Sequence, residues 1–149
     1  MKERAERVLR IERTFDAPAE AVFQAWTSEE VLRRWLHAGP DWETPVAEVD
    51  LRVGGSVRIF MRGPEAGRER GARGEYTLVE PPRRLAFTWV WDDDLSNPQL
   101  IELEFSEDEG RTTVVMFNSG IPTDEERDGQ EFGWGLCYDN LDRALAESD

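Results

Sequence analysis

Few residues in this sequence could carry out chemistry. His37 is the only histidine and Cys137 the only cysteine, and they stand far apart along the chain. A nucleophile and its base must lie within hydrogen-bond distance, and no motif indicates that these two meet. We interpret His37 as a residue at the C-terminal end of a short helix, where an imidazole interacts with free carbonyl groups. We interpret Cys137 as a small core residue.

Two acidic or glycine-rich stretches resemble ion-binding motifs only superficially. Residues 92–94 are three consecutive aspartates, but the glycine and glutamate of a calcium loop are missing, so a solvated loop is predicted. The segment "RVGG" (52–55) lacks the spacing of a phosphate-binding loop and leads into a strand. Asp50 and Arg52 are expected to fix this segment as a hairpin turn. The sequence therefore predicts neither a metal site nor a cofactor.

Composition excludes several classes of function. The 149 residues suit one domain, spanning 1–149, and the net charge of −14 argues against nucleic acids and anionic membrane surfaces as partners. That charge indicates either a solubility adaptation or a docking surface for a basic partner. No stretch has the apolar length of a signal-peptide core or a bilayer-spanning helix. With a single cysteine and no intrachain disulfide, a cytoplasmic protein is expected.

Hydrophobic periodicity predicts the order strand, two short helices, six strands and one long helix. The first strand spans residues 8–15, and Pro18 suits the first turn of the first helix. Thr27 and Glu30 form a capping box for the second helix, which the Gly-Pro pair at 39–40 ends.

The middle of the chain is predicted to be an antiparallel meander with one buried face. "LAFTWVW" (85–91) and "LIELEF" (100–105) alternate most clearly between large apolar residues and others. The glycine- and arginine-rich segment 63–74 is predicted to be a polar loop.

The last helix is predicted to run from Thr123, which forms a capping box with Glu126, to about Ser148. Its apolar stripe and the residues that flank it are Trp134, Cys137, Tyr138, Leu141, Ala144 and Leu145.

Two features of this helix do not fit a regular amphipathic pattern. Gly133 and Gly135 each weaken a helix interior by about 1 kcal/mol relative to alanine. We expect them to let the helix backbone approach the sheet or the short helices closely. Phe132 and Leu136 lie off the apolar stripe, where they would cover a neighbouring loop or form a contact in a homodimer.

Five motifs in this order resemble the START-like, or SRPBCC, superfamily, and within it the branch named after the activator of the heat-shock chaperone ATPase. They are "RTFDAPAEAVFQAWTSEEVLRRW", "DLRVGGSVRIFM", "GEYTLVEPPRRLAFTW", "NSGIP" and "FGWGLCYDNLDRAL". The resemblance implies an α+β helix-grip fold, in which a curved antiparallel sheet of about seven strands, in the order β-α-α-β6-α, wraps around the long C-terminal helix and a hydrophobic cavity.

The chain departs from that branch at one position. Many members carry a histidine where this chain has Asn118. An asparagine can orient a ligand through hydrogen bonds, but it cannot accept a proton near neutral pH.

Residues on the expected inward faces are the candidate ligand-binding set, because pockets are lined mainly by apolar and aromatic side chains. They are Trp26, Trp35, Val57, Ile59, Met61, Tyr76, Phe87, Trp89, Ile101, Leu103, Met116, Asn118, Trp134, Tyr138 and Leu141. The polar candidates are Tyr138, Asn118 and Arg13. Arg13 shares a face with Leu9 and would either be buried with an anionic partner or lie in water at a strand end.

Three functions follow as hypotheses. The leading one is non-catalytic binding of a small hydrophobic or aromatic molecule between the sheet and the last helix. The second is an enzyme of the cyclase or hydrolase type, as some relatives of this fold are, with Tyr138 or a buried Glu48 as its titratable group. The third, implied by the branch name, is a co-chaperone, although the named activator acts through an extra domain that this chain is not expected to have.

Overall fold

The elements follow the predicted order in the computed structural model, which describes residues 8–37, 41–65 and 67–147. They are β1 (Val8–Phe15), α1 (Ala19–Thr27), α2 (Glu29–Trp35), β2 (Glu43–Val49), β3 (Ser56–Arg62), β4 (Glu69–Glu80), β5 (Arg84–Trp91), β6 (Gln99–Asp108), β7 (Arg111–Ser119) and α3 (Asp124–Glu147).

The seven strands form one curved antiparallel sheet in the order β1-β7-β6-β5-β4-β3-β2. Strands β2 to β7 are a meander, and β1 pairs along its whole length with β7, from Val8 opposite Ser119 to Phe15 opposite Thr112. The chain therefore begins and ends its sheet on adjacent strands, and α3 follows β7 directly. The predicted α+β helix-grip architecture is confirmed.

The inward face of the sheet carries the predicted apolar residues. In β5, Leu85, Phe87 and Trp89 are buried, and in β6 the exposed Glu102 and Glu104 alternate with buried neighbours. This period of two places one side of each strand against the helices and the other in solvent. Within the described ranges, no helix combines the length and the apolar character needed to cross a lipid bilayer.

The predicted cap of the second helix is wrong by one residue. The Ser28 hydroxyl, not that of Thr27, accepts the hydrogen bond from the Val31 backbone N–H at 3.4 Å. Thr27 is still the last residue of α1, and its hydroxyl donates to the Phe23 carbonyl at 3.1 Å. The helix ends at Trp35, and the Gly-Pro pair predicted to stop it lies outside the described residues.

The predicted polar loop 63–74 is also wrong in its second half, because β4 already begins at Glu69. The glycine and arginine residues of this segment obscure the alternating pattern by which a strand is predicted. A Cβ at position 74 would lie 1.8 Å from the Thr88 carbonyl oxygen, and one at position 71 would lie 2.4 Å from an Asp92 carboxylate oxygen. Glycine is thus required at position 74, where the backbone of β5 approaches, whereas a side chain at position 71 would displace the Asp92 carboxylate.

Helix α3 begins as predicted. The Thr123 hydroxyl accepts a hydrogen bond from the Glu126 backbone N–H at 3.0 Å, which supports the capping interpretation. The helix is described through Glu147, and Ser148, its predicted end, lies outside the described residues. Its backbone approaches β1, α1 and α2 most closely.

Arg13 finds its anionic partners within the protein. Its guanidinium lies 2.6 Å from Asp139 and 3.3 Å from Asp142, both on α3. The Arg13 side chain is about one-third exposed, so these ion pairs contribute modestly, on the order of 1 kcal/mol or less. They connect α3 to β1.

Gly74→Ala is expected to lower the free energy of unfolding by about 1–3 kcal/mol, because the new methyl group would collide with the Thr88 carbonyl. Urea denaturation measures the change. Gly135→Ala is the matched control, since a Cβ there meets no atom within 4 Å, and it is expected to stabilise the protein by up to about 1 kcal/mol. Equal effects of the two substitutions would contradict the close contact of β4 with β5.

Candidate functional site

An aromatic cluster anchors α3 to the rest of the protein. The ring centroids of Trp26 and Trp134 are 5.7 Å apart, those of Trp35 and Tyr138 are 6.4 Å apart, and those of Phe15 and Tyr138 are 5.6 Å apart. These distances lie within the range in which aromatic pairs add about 0.5–1.5 kcal/mol beyond area burial. The cluster therefore ties α3 to β1, α1 and α2 along one side.

A cavity of about 680 Å³ lies between the N-terminal half of α3 and strands β3 to β5. Its lining is dominated by large apolar and aromatic side chains. They are Leu36, Trp42, Met61, Trp89, Trp91, Phe132, Trp134, Leu136 and Cys137. A volume of this size suits a drug-sized ligand.

Glycines in α3 leave this space open. Gly129 and Gly133 line the cavity, and a Cβ at either position would meet no atom within 4 Å. The same holds for Gly135, which does not line the cavity. The expectation that Gly133 and Gly135 allow a close backbone approach is therefore wrong, because nothing approaches them.

Three of the fifteen predicted ligand-binding residues line this cavity, namely Met61, Trp89 and Trp134. The others lie deeper, on the concave face and in the buried core around α1 and α2. These are Trp26, Trp35, Val57, Ile59, Tyr76, Phe87, Ile101, Leu103, Met116, Asn118, Tyr138 and Leu141. Contact of these twelve residues with a ligand stays a prediction.

Sequence reasoning missed several residues of the cavity. Trp91 shares the inward face of β5 with Trp89, and Gln130 precedes Trp134 by one helical turn, so periodicity could have found both. Phe132 and Leu136 lie at the cavity, and Phe132 is 72 % exposed. Trp42 precedes β2, where no periodicity applies.

Hydrogen bonding gives the cavity a defined polar side. The Trp91 indole N–H donates to the Gln130 side-chain oxygen at 2.8 Å. The Gln130 amide nitrogen and the Trp89 indole nitrogen are buried, and neither has a hydrogen-bond partner among the residues that the structure describes. An unpartnered buried donor costs about 1–3 kcal/mol, so both groups reduce the stability of the fold.

Arg70 borders this polar side. It is paired with Met61 across β3 and β4 and so shares the concave face. Its guanidinium lies 3.8 Å from the centroid of the Trp91 ring and contacts Asp93 at 3.2 Å and Glu126 at 3.5 Å. Arg70 thus connects β4, the loop after β5 and the first turn of α3.

Two amides lie deeper on the concave face. Gln99 and Asn118 are 2 % and 0 % exposed, and the side-chain nitrogen and oxygen of each lack a partner within the described part of the chain. Asn118 stands opposite Ile101, two residues from Gln99, so the amides occupy neighbouring strands. They belong to the interior rather than to the lining of the cavity.

The lone histidine and the lone cysteine do meet, but not as a catalytic pair. The Cys137 thiol donates to the His37 backbone carbonyl at 3.2 Å, while the imidazole Nδ1 lies 2.8 Å from the Thr44 hydroxyl. That hydroxyl donates to the Leu36 carbonyl, so the network assigns the proton to Nδ1 of His37. Burial lowers the pKa of His37 and raises the pKa of Cys137 to about 12. Both groups are therefore neutral at pH 7.

The residues nominated for the enzyme hypothesis are poorly suited to proton transfer. Glu48, expected to be buried, is exposed on the outer face of β2 because its neighbour Ala47 takes the inward position, so that expectation is wrong. Burial raises the pKa of Tyr138, and its hydroxyl lies 3.6 Å from the Met116 sulfur.

The aspartate run after β5 is held by arginines and a turn. The Asp92 carboxylate lies 3.0 Å from both Arg58 and Arg73, and Asp94 accepts a hydrogen bond from Asn97 at 2.7 Å. Across 8–37, 41–65 and 67–147, no three histidine, cysteine or acidic side chains are grouped closely enough to hold a metal ion.

Comparison with known proteins is consistent with this architecture. The family model described as "Activator of Hsp90 ATPase homolog 1-like protein" matches residues 16–146. No match was found among curated proteins. A crystal structure of a protein from Rhodobacter sphaeroides is 31% identical, with 95% of this chain and 94% of that chain covered and a TM-score of 0.82.

Two further structures carry the family in their descriptions. An AHSA1-like protein from Aeromonas hydrophila is 29% identical, with 95% and 94% of the two chains covered and a TM-score of 0.79. The AHSA1 protein from Silicibacter pomeroyi is 26% identical, with 96% and 100% covered and a TM-score of 0.83. The family match over most of the chain, together with these folds, shows that the chain belongs to the AHSA1-like family of the START/SRPBCC type.

Proposed function

We propose that this protein binds a small hydrophobic or aromatic molecule, without catalysis, in the cavity between the sheet and α3. One observation carries the proposal: a space of about 680 Å³ is walled by four tryptophans and kept open by two helix glycines. Proteins of this family typically bind ligands, which supports a ligand for this cavity as well.

The energetics favour an apolar occupant. Burying apolar ligand surface contributes about 25 cal/mol per Å², and the indole rings of Trp89 and Trp134, with centroids 6.4 Å apart, offer such surface at the inner end of the cavity. Gly129 and Gly133 also line the cavity, where they lower helix stability but leave room for a ligand.

The non-catalytic part of the proposal rests on the chemistry of the lining. Cys137 lines the cavity, and its raised pKa keeps it a thiol. A catalytic cysteine requires a lowered pKa and a basic partner, whereas Cys137 contacts a backbone carbonyl.

The proposal also includes the cellular location of the protein and the partners that it does not bind. The buried single cysteine and the net charge of −14 support a cytoplasmic protein that binds neither nucleic acid nor membrane. A homodimer through the exposed Phe132 stays a prediction.

Gly133→Leu is expected to weaken binding of the neutral probe N-phenyl-1-naphthylamine at least about tenfold, equivalent to about 1.4 kcal/mol, because the new side chain fills the cavity. Probe fluorescence on titration measures the dissociation constant.

Gly135→Leu is the matched control for that experiment. It makes the same change two residues away, outside the cavity lining, and both leucines favour the helix by a similar amount of roughly 0.8 kcal/mol. Probe binding is expected to survive in Gly135→Leu. If the wild-type protein fails to bind the probe, or if both variants lose binding equally, the proposed function fails.

Alkylation of Cys137 by iodoacetamide at pH 8 is expected to be roughly a thousandfold slower in the native protein than in guanidinium chloride. The pKa raised to about 12 leaves very little thiolate in the folded state, whereas unfolding restores the ordinary thiol. Mass spectrometry of timed samples measures the two rates. A native rate equal to the unfolded rate would mean a reactive thiol and would contradict a non-catalytic cavity.

A further inference from the structure

We infer that the cavity selects an aromatic amine in its cationic form, with the aromatic rings among the tryptophans of the lining and the ammonium group beside Glu125 at the start of α3. The inference rests on the proposed function, because it names the chemical class of the ligand for the same cavity. Its basis is the distribution of charges and aromatic rings in the cavity lining.

One face of α3 runs along the cavity. The lining residues Glu125, Gly129, Phe132, Gly133 and Leu136 follow one another at the spacing of a single helix face. Side chains on a helix point back toward its N-terminus, so the exposed Glu125 side chain extends away from the glycines. Eight residues separate Glu125 from Gly133, which is roughly 12 Å along the helix axis.

The two glycines leave room for a flat ring system on this face. A Cβ at Gly129 or Gly133 would meet no atom within 4 Å. Trp89 and Trp134 line the same cavity, with their ring centroids 6.4 Å apart. An aromatic group placed here buries apolar surface, and a short substituent on it extends along the helix face toward Glu125.

The aromatic lining already attracts cations. The Arg70 guanidinium lies 3.8 Å from the ring centroid of Trp91, and the Arg68 guanidinium lies 5.9 Å from that of Trp42. All four residues line the cavity. The face of an indole ring carries partial negative charge and attracts cations, so a ligand ammonium group meets a favourable environment in the same lining.

The arginines of the lining are not available to an anion. Arg68 lies 3.5 Å from Glu65, and Arg70 lies 3.2 Å from Asp93. The Nε atom of Arg70 has no hydrogen-bond partner in the described ranges, but it is fully buried, so a ligand in the cavity cannot reach it. The lining contains these two arginines and three glutamates, and it therefore carries one negative charge in excess.

Glu125 is the carboxylate that remains for a ligand. Of the other two lining glutamates, Glu69 lies 3.6 Å from Arg62 and Glu126 lies 3.5 Å from Arg70. Glu125 pairs with no arginine in the part of the chain that the structure describes. The net charge of −14 adds a long-range attraction for cations and a repulsion for anions.

Glu125 also has a structural role that the test must separate from ligand binding. It lies in the first turn of α3, where the helix dipole favours any acidic side chain. Asp124 lies in the same turn but does not line the cavity. Asp124 is therefore the matched control residue.

The test compares three ligands that share a naphthalene ring and differ in charge. 2-(Aminomethyl)naphthalene, 2-naphthalenemethanol and 2-naphthoate are each used to displace N-phenyl-1-naphthylamine from the wild-type protein at neutral pH and low salt. The amine is expected to bind about fivefold tighter than the alcohol, equivalent to about 1 kcal/mol, and 2-naphthoate more weakly than the alcohol. At about 0.5 M NaCl the amine preference is expected to fall below about twofold, because salt screens exposed charges.

Variants assign that preference to one carboxylate. Glu125→Gln removes the charge with little change in shape, and it is expected to lower the amine preference at least about twofold while the affinity for the alcohol stays the same. Asp124→Asn makes the same change in net charge one residue away and is expected to keep the preference. Circular dichroism checks that both variants fold. If Glu125→Gln does not fold, the ligand series with the wild-type protein still decides the question.

Three outcomes overturn the inference and leave the proposed function intact: binding of the alcohol at least as tight as that of the amine, tighter binding of 2-naphthoate than of the amine, or the same amine preference in Glu125→Gln and Asp124→Asn. Failure of the wild-type protein to bind N-phenyl-1-naphthylamine at all would instead overturn the proposed function.

Discussion

The structure depends on how the aromatic cluster holds α3 against the rest of the fold. The rings of Trp26, Trp35 and Tyr138 pack the helix against β1, α1 and α2, and the ion pairs from Arg13 reinforce that contact. The N-terminal half of the helix contacts β5 through Trp134, whose ring centroid lies 6.4 Å from that of Trp89, and through Gln130, which accepts a hydrogen bond from Trp91. Gly129 presents no side chain there. The cavity is the space left between these contacts and strands β3 to β5.

The cavity also shows how binding and stability compete in the same residues. The buried N–H groups of Gln130 and Trp89 are among those that lack a partner in the described chain, and each opposes folding by about 1–3 kcal/mol, while the helix glycines add a further cost. If stability alone determined the sequence, apolar side chains would replace Gln130 and Trp89, and alanines would replace the helix glycines. The large aromatic core offsets these costs, so the site depends on residues such as Trp134 that serve both packing and the cavity wall.

Periodicity and capping rules predicted the element order, the inward faces of β5 and β6, and the Thr123 cap, because these depend on local sequence. These rules failed where the choice of residue depends on a contact with a neighbouring element. Gly74 of β4 is explained by Thr88 on another strand, and Gly133 by an empty volume that no pattern encodes. The shared inward face located Trp89 and Trp134, but it could not show which inward residues face a void and which are packed in the core.

The crowding of indole rings has an optical consequence. Trp26 and Trp35 lie with centroids 4.7 Å apart and nearly perpendicular planes, and Trp89 and Trp91 lie 5.4 Å apart at 85°. Close and non-parallel indole transition dipoles give exciton bands, so the protein carries an exciton signature in its electronic circular dichroism. Trp134 is near both pairs, with its ring centroid 5.7 Å from that of Trp26 and 6.4 Å from that of Trp89, so this signature reports on the cavity wall and the anchoring cluster together.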